Sequence, residues 1–209
     1  MTYNEKQIQI MEVAEELFAE KGFDGTSVRD ISDKAGVNLA MISYYFGSKE
    51  KLLEALFTYR GENTVMKLES VISDKNRGPL QKMEVLIDYY IDKFMNQQCF
   101  HKIMTWEQVT NQRGVTSDLI LNLKKRNQVL VKQLIHEGQK TGDFKKNIDI
   151  PLMMATLVGT VSHLVTTQHY YKELNNLQSL SDEEVNKHIK KKLSHHLKFV
   201  FKAILTHES

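Results

Sequence analysis

The 209-residue chain has few of the residues that interrupt or cross-link a protein. Proline occurs only at Pro79 and Pro151, and glycine occurs ten times. So few helix-breaking residues favour long helices over many short strands. The one cysteine, Cys99, excludes an internal disulfide framework and is typical of a protein in a reducing cytoplasm.

A long, uninterrupted apolar run is also missing. The most apolar stretch, IPLMMATLVGTVSHLVTT (residues 150–167), is broken by His163 and by several hydroxyl side chains. This pattern favours a buried or interface helix over a membrane span. The N-terminus lacks the apolar core of a signal peptide. We therefore expect a cytoplasmic protein with no membrane partner.

Charge of one sign does not dominate the chain. Its formal net charge is +2, and residues 1–50 contain five basic and nine acidic side chains. Bulk positive charge therefore cannot support a prediction of nucleic-acid binding, which has to come from geometry.

Motifs for catalysis or metal binding are absent as well. The sequence contains no phosphate-binding loop, dinucleotide fingerprint, nucleophile elbow or zincin motif. Cys99 and His101 are neighbours, but their alternate spacing directs them to different sides of a helix. His188 and His195 stand about two turns apart, roughly 10 Å, which is too far to share one ion directly. We expect no catalytic residue, no metal site and no cofactor.

The N-terminal part of the chain shows helical periodicity that is followed by a glycine turn. An apolar stripe on a first helix is formed by Ile8, Met11, Ala14, Leu17 and Phe18. Ser27 with Asp30 three positions on predicts a capping box at the start of a second, short helix. Gly36 predicts a tight turn, and Asn38 is a good N-cap for a third short helix. Together these signals predict a helix-turn-helix.

Three consecutive aromatic residues end the third helix. Ile42 and Phe46 stand four apart and predict its inner face, which leaves Tyr44 and Tyr45 largely on the outer side. A tyrosine there offers a hydroxyl to a phosphate oxygen and a ring to a sugar or base. Lys49 follows at a helix N-terminus, which favours an anion. The alternative is that the tyrosines only cover the junction with a fourth helix.

Residues 8–57 resemble the DNA-binding domain of the TetR family of bacterial transcriptional regulators. The resemblance rests on four motifs: LFAEKGFDGTSV (17–28), ISDKAGV (31–37), YYF (44–46) and SKEKLL (48–53). It implies phosphate contacts for Thr26, Ser27, Tyr44, Tyr45 and Lys49. It implies base-edge contacts for Arg29, Asn38, Leu39, Ala40, Met41 and Ser43. A double-stranded DNA operator is then the expected partner, and repression is the usual mode of action in the family.

The remaining two-thirds of the chain shows helical apolar spacing throughout. We expect an all-α protein of about nine helices, with a three-helix DNA-binding domain at residues 1–47. A helical ligand-binding and dimerisation domain then covers residues 48–209. An aromatic and methionine-rich segment predicts a pocket for a small apolar or amphipathic effector, lined by Tyr90, Phe94, Met104 and Trp106. Ordinary core packing is the alternative for each of these four residues.

Two helices near the C-terminus are candidates for a dimer interface. A helix-turn-helix makes too few base contacts for a selective site on its own. A homodimer presents two recognition helices about 34 Å apart to a palindrome. Two copies of two helices predict a four-helix bundle. Its predicted residues are Leu157, Val161, Leu164, Leu193, Leu197 and Val200. A helical protein-binding adaptor without DNA binding, or an enzyme, are the remaining alternatives.

Overall fold

Ten helices form the regular structure of residues 3–110 and 114–207, which the computed structural model describes. Side chains are described for all of these residues except 114–117. The helices are α1 (Glu5–Lys21), α2 (Val28–Ala35), α3 (Leu39–Phe46), α4 (Lys49–Ile72), α5 (Pro79–Asn96), α6 (Gln98–Thr110), α7 (Gly114–Thr141), α8 (Ile150–Thr166), α9 (Gln168–Leu174) and α10 (Asp182–Leu205). No strand occurs in these two ranges, and the predicted all-α class is confirmed.

The described residues form ten helices, where about nine were expected. Residues 150–174 read as a single helix, but the chain breaks at Thr167, and α8 and α9 are bent by 76° relative to each other. The hydroxyls of Thr166 and Thr167 donate to the carbonyls of Ser162 and His163, each at 2.7 Å. Bonds of this kind compete with the backbone ladder and bend helices. Within the described residues, only this bent pair combines the length and apolarity of a membrane span, and no single helix does.

Local signals set the helix starts. Capping boxes open α1, α2 and α10, through Asn4, Ser27 and Ser181 respectively. Pro79 begins α5, and Pro151 lies in the first turn of α8, where a missing N–H leaves no hydrogen bond unmade. The start of α2 at Ser27 agrees with the capping box that the sequence predicts.

One compact unit of the chain consists of Met1–Met66 and Gln97–Arg126. Its core joins α1–α3 and the first part of α4 to α6 and the start of α7. The rings of Phe57 and Phe100 pack at a tilt of 57° with their centroids 5.1 Å apart. Glu15 accepts a hydrogen bond from Arg60 at 2.8 Å in a part-buried ion pair. The predicted functional boundary at residue 47 stays a prediction. It does not coincide with the edge of this unit, because α6 packs among the N-terminal helices.

The second compact unit consists of Lys67–Asn96 and Asn127–Ser209. A buried residue recurs at every fourth position along α10, at Val185, Ile189, Leu193, Leu197, Phe201 and Leu205. This stripe faces α5 and α8, whose buried side chains belong to the same core. Asp88 on α5 accepts hydrogen bonds from Ser194 and Lys198 on α10, both at 2.6 Å, so a polar contact fixes the pairing of these two helices.

Candidate DNA-binding surface

A reciprocal capping box fixes the N-terminus of α2. The Asp30 N–H donates to Ser27 Oγ at 3.0 Å, and the Ser27 N–H donates to Asp30 Oδ2 at 2.8 Å. The Ser27 hydroxyl donates to the same carboxylate at 2.6 Å. These bonds, helped by the nearby Lys21, hold the pKa of Asp30 below its ordinary value. The predicted capping box is confirmed, and it leaves Arg29 exposed on the first turn of α2.

A left-handed glycine makes the turn between α2 and α3. Gly36 has φ 63° and ψ 37°, a conformation that glycine adopts without steric penalty. The Val37 N–H donates to the Ser32 carbonyl at 3.0 Å and closes the end of α2. Ile31 and Ile42 are buried in one core and hold the two short helices together. The predicted helix-turn-helix is therefore present.

The outer side of α3 is polar and aromatic. Ile42 and Phe46 are buried, as the spacing predicts. Tyr44 is 83 % exposed, whereas Tyr45 is half-buried and lies edge-on to Phe46 at 6.3 Å. Tyr44 thus projects from the helix while Tyr45 covers its junction with the core. The other exposed or half-exposed positions on this side are Asn38, Leu39, Ala40, Met41 and Ser43. These five residues together with Tyr44 are called the recognition face below.

Two side chains that are predicted to contact phosphate, those of Thr26 and Lys49, form hydrogen bonds with carbonyls in or beside the loop between α1 and α2. The Thr26 hydroxyl is buried and donates to the carbonyls of Leu17 at 3.1 Å and Gly22 at 2.8 Å. Lys49 Nζ donates to the carbonyls of Phe23 at 2.9 Å and Thr26 at 2.8 Å. Neither side chain is therefore offered freely to a phosphate in this conformation. Nothing in the local sequence pattern signals these contacts, since Lys49 and Phe23 are 26 residues apart.

Ion pairs occupy part of the positive charge around the recognition face. Lys34 Nζ lies 2.9 Å from Glu16, and this hydrogen bond raises the pKa of the ammonium. Arg29 and Lys51 are exposed, with no ion pair to an acidic side chain within the described residues. With so few available cations on this surface, we expect few phosphate contacts and a moderate salt dependence of DNA binding.

The four predicted ligand-pocket residues are divided between the two units. Tyr90 and Phe94, on α5, are buried in the core of the second unit. Burial raises the pKa of the Tyr90 phenol well above its usual range. Met104 packs against the core of the first unit, and Trp106 on the same helix is 61 % exposed. The ligand pocket in this aromatic and methionine-rich segment stays a prediction. Of the four residues, Trp106 is the least suited to lining a closed cavity.

Four of the six predicted dimer-interface residues are buried in the core of the second unit. Leu157, Val161, Leu193 and Leu197 are at most 3 % exposed, and Leu164 and Val200 are half-buried. The four buried side chains contact their own chain, because the inner stripes of α8 and α10 pack on each other and on α5. Any partner must therefore meet the opposite, outward sides of these two helices.

The fold and the recognition face define a helix-turn-helix DNA-binding protein. Residues 10–56 match the family model described as bacterial regulatory proteins, tetR family, and residues 79–195 match that of the tetracyclin repressor-like C-terminal domain. The chain belongs to the TetR family and is a DNA-binding transcriptional regulator.

Several known proteins are similar over most of the chain. The probable HTH-type transcriptional regulator YttP of Bacillus subtilis (strain 168) is 32 % identical over 139 residues, which are 65 % of this chain and 66 % of YttP. The fatty acid metabolism regulator protein of the same organism is 25 % identical over 177 residues, or 85 % of this chain and 90 % of that protein. The crystal structure of Bacillus subtilis FadR in complex with stearoyl-CoA matches with a TM-score of 0.65 at 22 % identity, over 91 % of this chain and 96 % of FadR. At that identity the structural match shows the fold alone.

Proposed function

We propose that this regulator is a ligand-responsive repressor that binds a palindromic operator as a homodimer, with one α3 in each half-site. The observation that carries the proposal is the recognition face, a solvent-exposed side of a short helix held by a buried core and a glycine turn. A helix of this kind fits the major groove, where base edges are distinguishable. Such a protein acts in the cytoplasm beside its DNA and needs no catalytic step.

Exposed apolar and small residues on the outer sides of α8 and α10 support the dimer. Leu152 on α8 is 65 % exposed, and Phe199 on α10 is 70 % exposed. Gly159, on α8, is exposed, and a Cβ built there meets nothing within 4 Å, so a partner helix has room to approach closely. Beside Phe199 lies a groove of about 550 Å³ that is also lined by Leu164 and Tyr171. Burying this apolar surface favours association.

Phe199→Glu tests the interface without disturbing the core, since this side chain points outward. We expect the variant to sediment as a monomer at micromolar concentration and to lose operator binding. Val129→Glu is the matched control, because Val129 is 57 % exposed on α7 and lies outside the proposed interface. A charge at Val161 is unsuitable, because that side chain is fully buried and its replacement would unfold the second unit. A Phe199→Glu dimer as stable as the wild type would contradict this interface.

For the effector we propose an amphipathic molecule with a long apolar chain. The support is similarity to a fatty acid metabolism regulator over 85 % of the chain, and to a fold whose solved complex holds stearoyl-CoA. The aromatic side chains of Tyr90 and Phe94 offer an apolar lining on α5. A ligand reaching them has to open the core of the second unit, which links its binding to a change of conformation.

Titration of the repressor–operator complex with stearoyl-CoA tests this effector class. We expect stearoyl-CoA to release labelled operator DNA in a fluorescence anisotropy assay, and coenzyme A alone to leave it bound. The Tyr90→Ala variant should need more stearoyl-CoA for the same release. Release by neither compound would reject an acyl-chain effector while leaving operator binding intact.

A gel shift with the region upstream of the protein's own gene separates the repressor from a protein-binding adaptor. A shift that survives excess unrelated duplex supports the repressor. Its absence at low salt, with folded protein, favours the adaptor.

A further inference from the structure

Lys49 lies where a positive charge is unfavourable unless it is compensated. It is the first residue of α4, and the N-terminus of a helix carries a partial positive charge. The compensation is visible: its ammonium donates to the carbonyls of Phe23 and Thr26, at 2.9 and 2.8 Å. It also lies 4.3 Å from the centre of the Phe23 ring, within the range of a cation–π contact. Two of its three N–H donors are therefore already used within the protein.

The segment that Lys49 holds leads directly into α2. Phe23 is buried and packs against Phe18 with ring centroids 5.2 Å apart. Thr26 is held from the other side by its own hydroxyl, which donates to the carbonyls of Leu17 and Gly22. The next residue is Ser27, the N-cap of α2. Lys49 thus connects the start of α4 to the loop that sets the direction of α2.

A phosphate that captured the Lys49 ammonium would pull it away from two carbonyls. The part-buried Thr26 carbonyl would lose its hydrogen bond from the ammonium, whereas the Phe23 carbonyl would keep one from the Thr26 N–H at 3.2 Å. Removing a donor from a part-buried carbonyl is costly. The arrangement favours an ammonium that stays on the loop.

We propose that Lys49 is a positioning residue for DNA binding, which fixes the α1–α2 loop and the N-terminus of α2 rather than contacting a phosphate. The proposal rests on the operator binding proposed above. It replaces the role that the TetR resemblance implies for this side chain.

The salt dependence of operator binding distinguishes a positioning residue from a phosphate contact. Loss of one phosphate contact lowers the slope of log K against log salt concentration by about 0.9. Lys49→Met removes the ammonium and keeps most of the side-chain stem. We expect its operator affinity to fall about tenfold, the effect of roughly one lost buried hydrogen bond, with the slope unchanged. Lys51→Met removes the same charge from an exposed site two residues away, and is the control for long-range electrostatics.

Thr26→Val provides a second variant with no change of charge. It removes the hydroxyl that holds the same loop, so it should also weaken the operator complex at an unchanged slope. Because both side chains act on one loop, the affinity losses of the double variant should be less than additive.

Amide hydrogen exchange of the free protein tests the contact without DNA. In Lys49→Met, the amides of residues 23–27 should exchange faster, while those in the middle of α1 and α4 keep their rates. A slope lower by about 0.9 in Lys49→Met, but not in Lys51→Met, would overturn the proposal and leave operator binding established. Unchanged exchange at residues 23–27 would also overturn it. Failure of the wild type to bind any operator would instead reject the proposed function, and the exchange result would still decide the Lys49 contact.

Discussion

Tyr44 and Tyr45 are adjacent in sequence but have different surroundings. Tyr44 is almost fully exposed, and the centroid of its ring lies 5.2 Å from that of Tyr45. Tyr45 is half-buried against Phe46 and the core of the first unit. Helical spacing assigns both side chains to the outer side of α3. It predicts the direction in which a side chain points from the helix, but not how deeply the side chain is buried. The depth of each ring depends on α4 and on the core, which are non-local.

Tyr44→Phe tests the hydroxyl of the exposed ring. A hydrogen bond from a neutral hydroxyl to a charged phosphate is expected to contribute about tenfold or more in affinity. The variant should bind the operator and its single-base variants more weakly by the same factor, with the thermal midpoint unchanged because Tyr44 packs little. Tyr170→Phe, at a 68 % exposed tyrosine on α9, is the matched control. Wild-type affinity for Tyr44→Phe would remove this hydroxyl from the DNA contacts.

Arg60 and Glu15 form a part-buried ion pair within the first unit, with 2.8 Å between Arg60 Nε and Glu15 Oε2. Arg60→Met leaves the Glu15 carboxylate with a hydrogen bond from the Phe100 backbone but without its ion-pair partner, and should lower the free energy of unfolding by about 3 kcal/mol at neutral pH. Arg126→Met removes one partner of an exposed pair with Glu62, and should change it by less than about 1 kcal/mol. Urea denaturation of the three proteins measures both effects.

The pH dependence of the Arg60→Met effect follows from Glu15. Burial raises the pKa of this carboxyl, and Arg60 opposes the rise. Without Arg60 the folded-state pKa rises further, so the folded variant binds a proton that the unfolded chain does not. The destabilisation should therefore be full above the raised pKa and shrink as the pH falls through it towards the ordinary carboxyl value. A destabilisation that is constant with pH would show that the loss of the ion pair does not leave Glu15 as an uncompensated buried charge.

At the scale of the helix, the sequence predicts where several helices begin but not which helices pack together. The bounds of α2 and α3 follow from Ser27, Gly36 and Asn38, whose caps and turn are local. The break that creates α9 depends on two threonine hydroxyls that bond backwards into α8. The sequence of α6 predicts one more apolar helix face. Nothing in its spacing indicates in which of the two cores Phe100 is buried. Compactness of the chain, rather than periodicity, places α6 with the N-terminal helices.

Gly138 is a point where one helix depends on close approach by another segment. A Cβ built at this position of α7 would lie 2.2 Å from the ring of Phe144, which is buried. Gly138→Ala should therefore destabilise the protein by about 1–3 kcal/mol through overpacking, although alanine has the higher helix propensity. Gly159→Ala on α8 meets no such contact in the single chain. Thermal unfolding that is unchanged or raised in Gly138→Ala would contradict the tight packing of Phe144.

At the scale of the whole molecule, the proposed repressor depends on two copies of a small surface for its DNA selectivity. The recognition face lies on a helix of eight residues, and one such helix makes too few base contacts to select a site in a genome. Two faces joined by the outer sides of α8 and α10 would read both half-sites of a palindrome. The sequence predicts this use of the last helices, and it stays a prediction. It could not tell the inner from the outer stripe, because α8 is apolar or small nearly all round.

Sedimentation velocity of labelled duplex DNA from upstream of the protein's own gene tests the homodimeric repressor most directly. The proposed dimer predicts one saturable complex containing the duplex and two 24.2 kDa chains, formed in excess unrelated DNA. It also predicts that Phe199→Glu abolishes this complex and that Val129→Glu does not. A complex with a single chain at saturation, or equal binding to the unrelated duplex at the same salt, would contradict an operator-specific dimer.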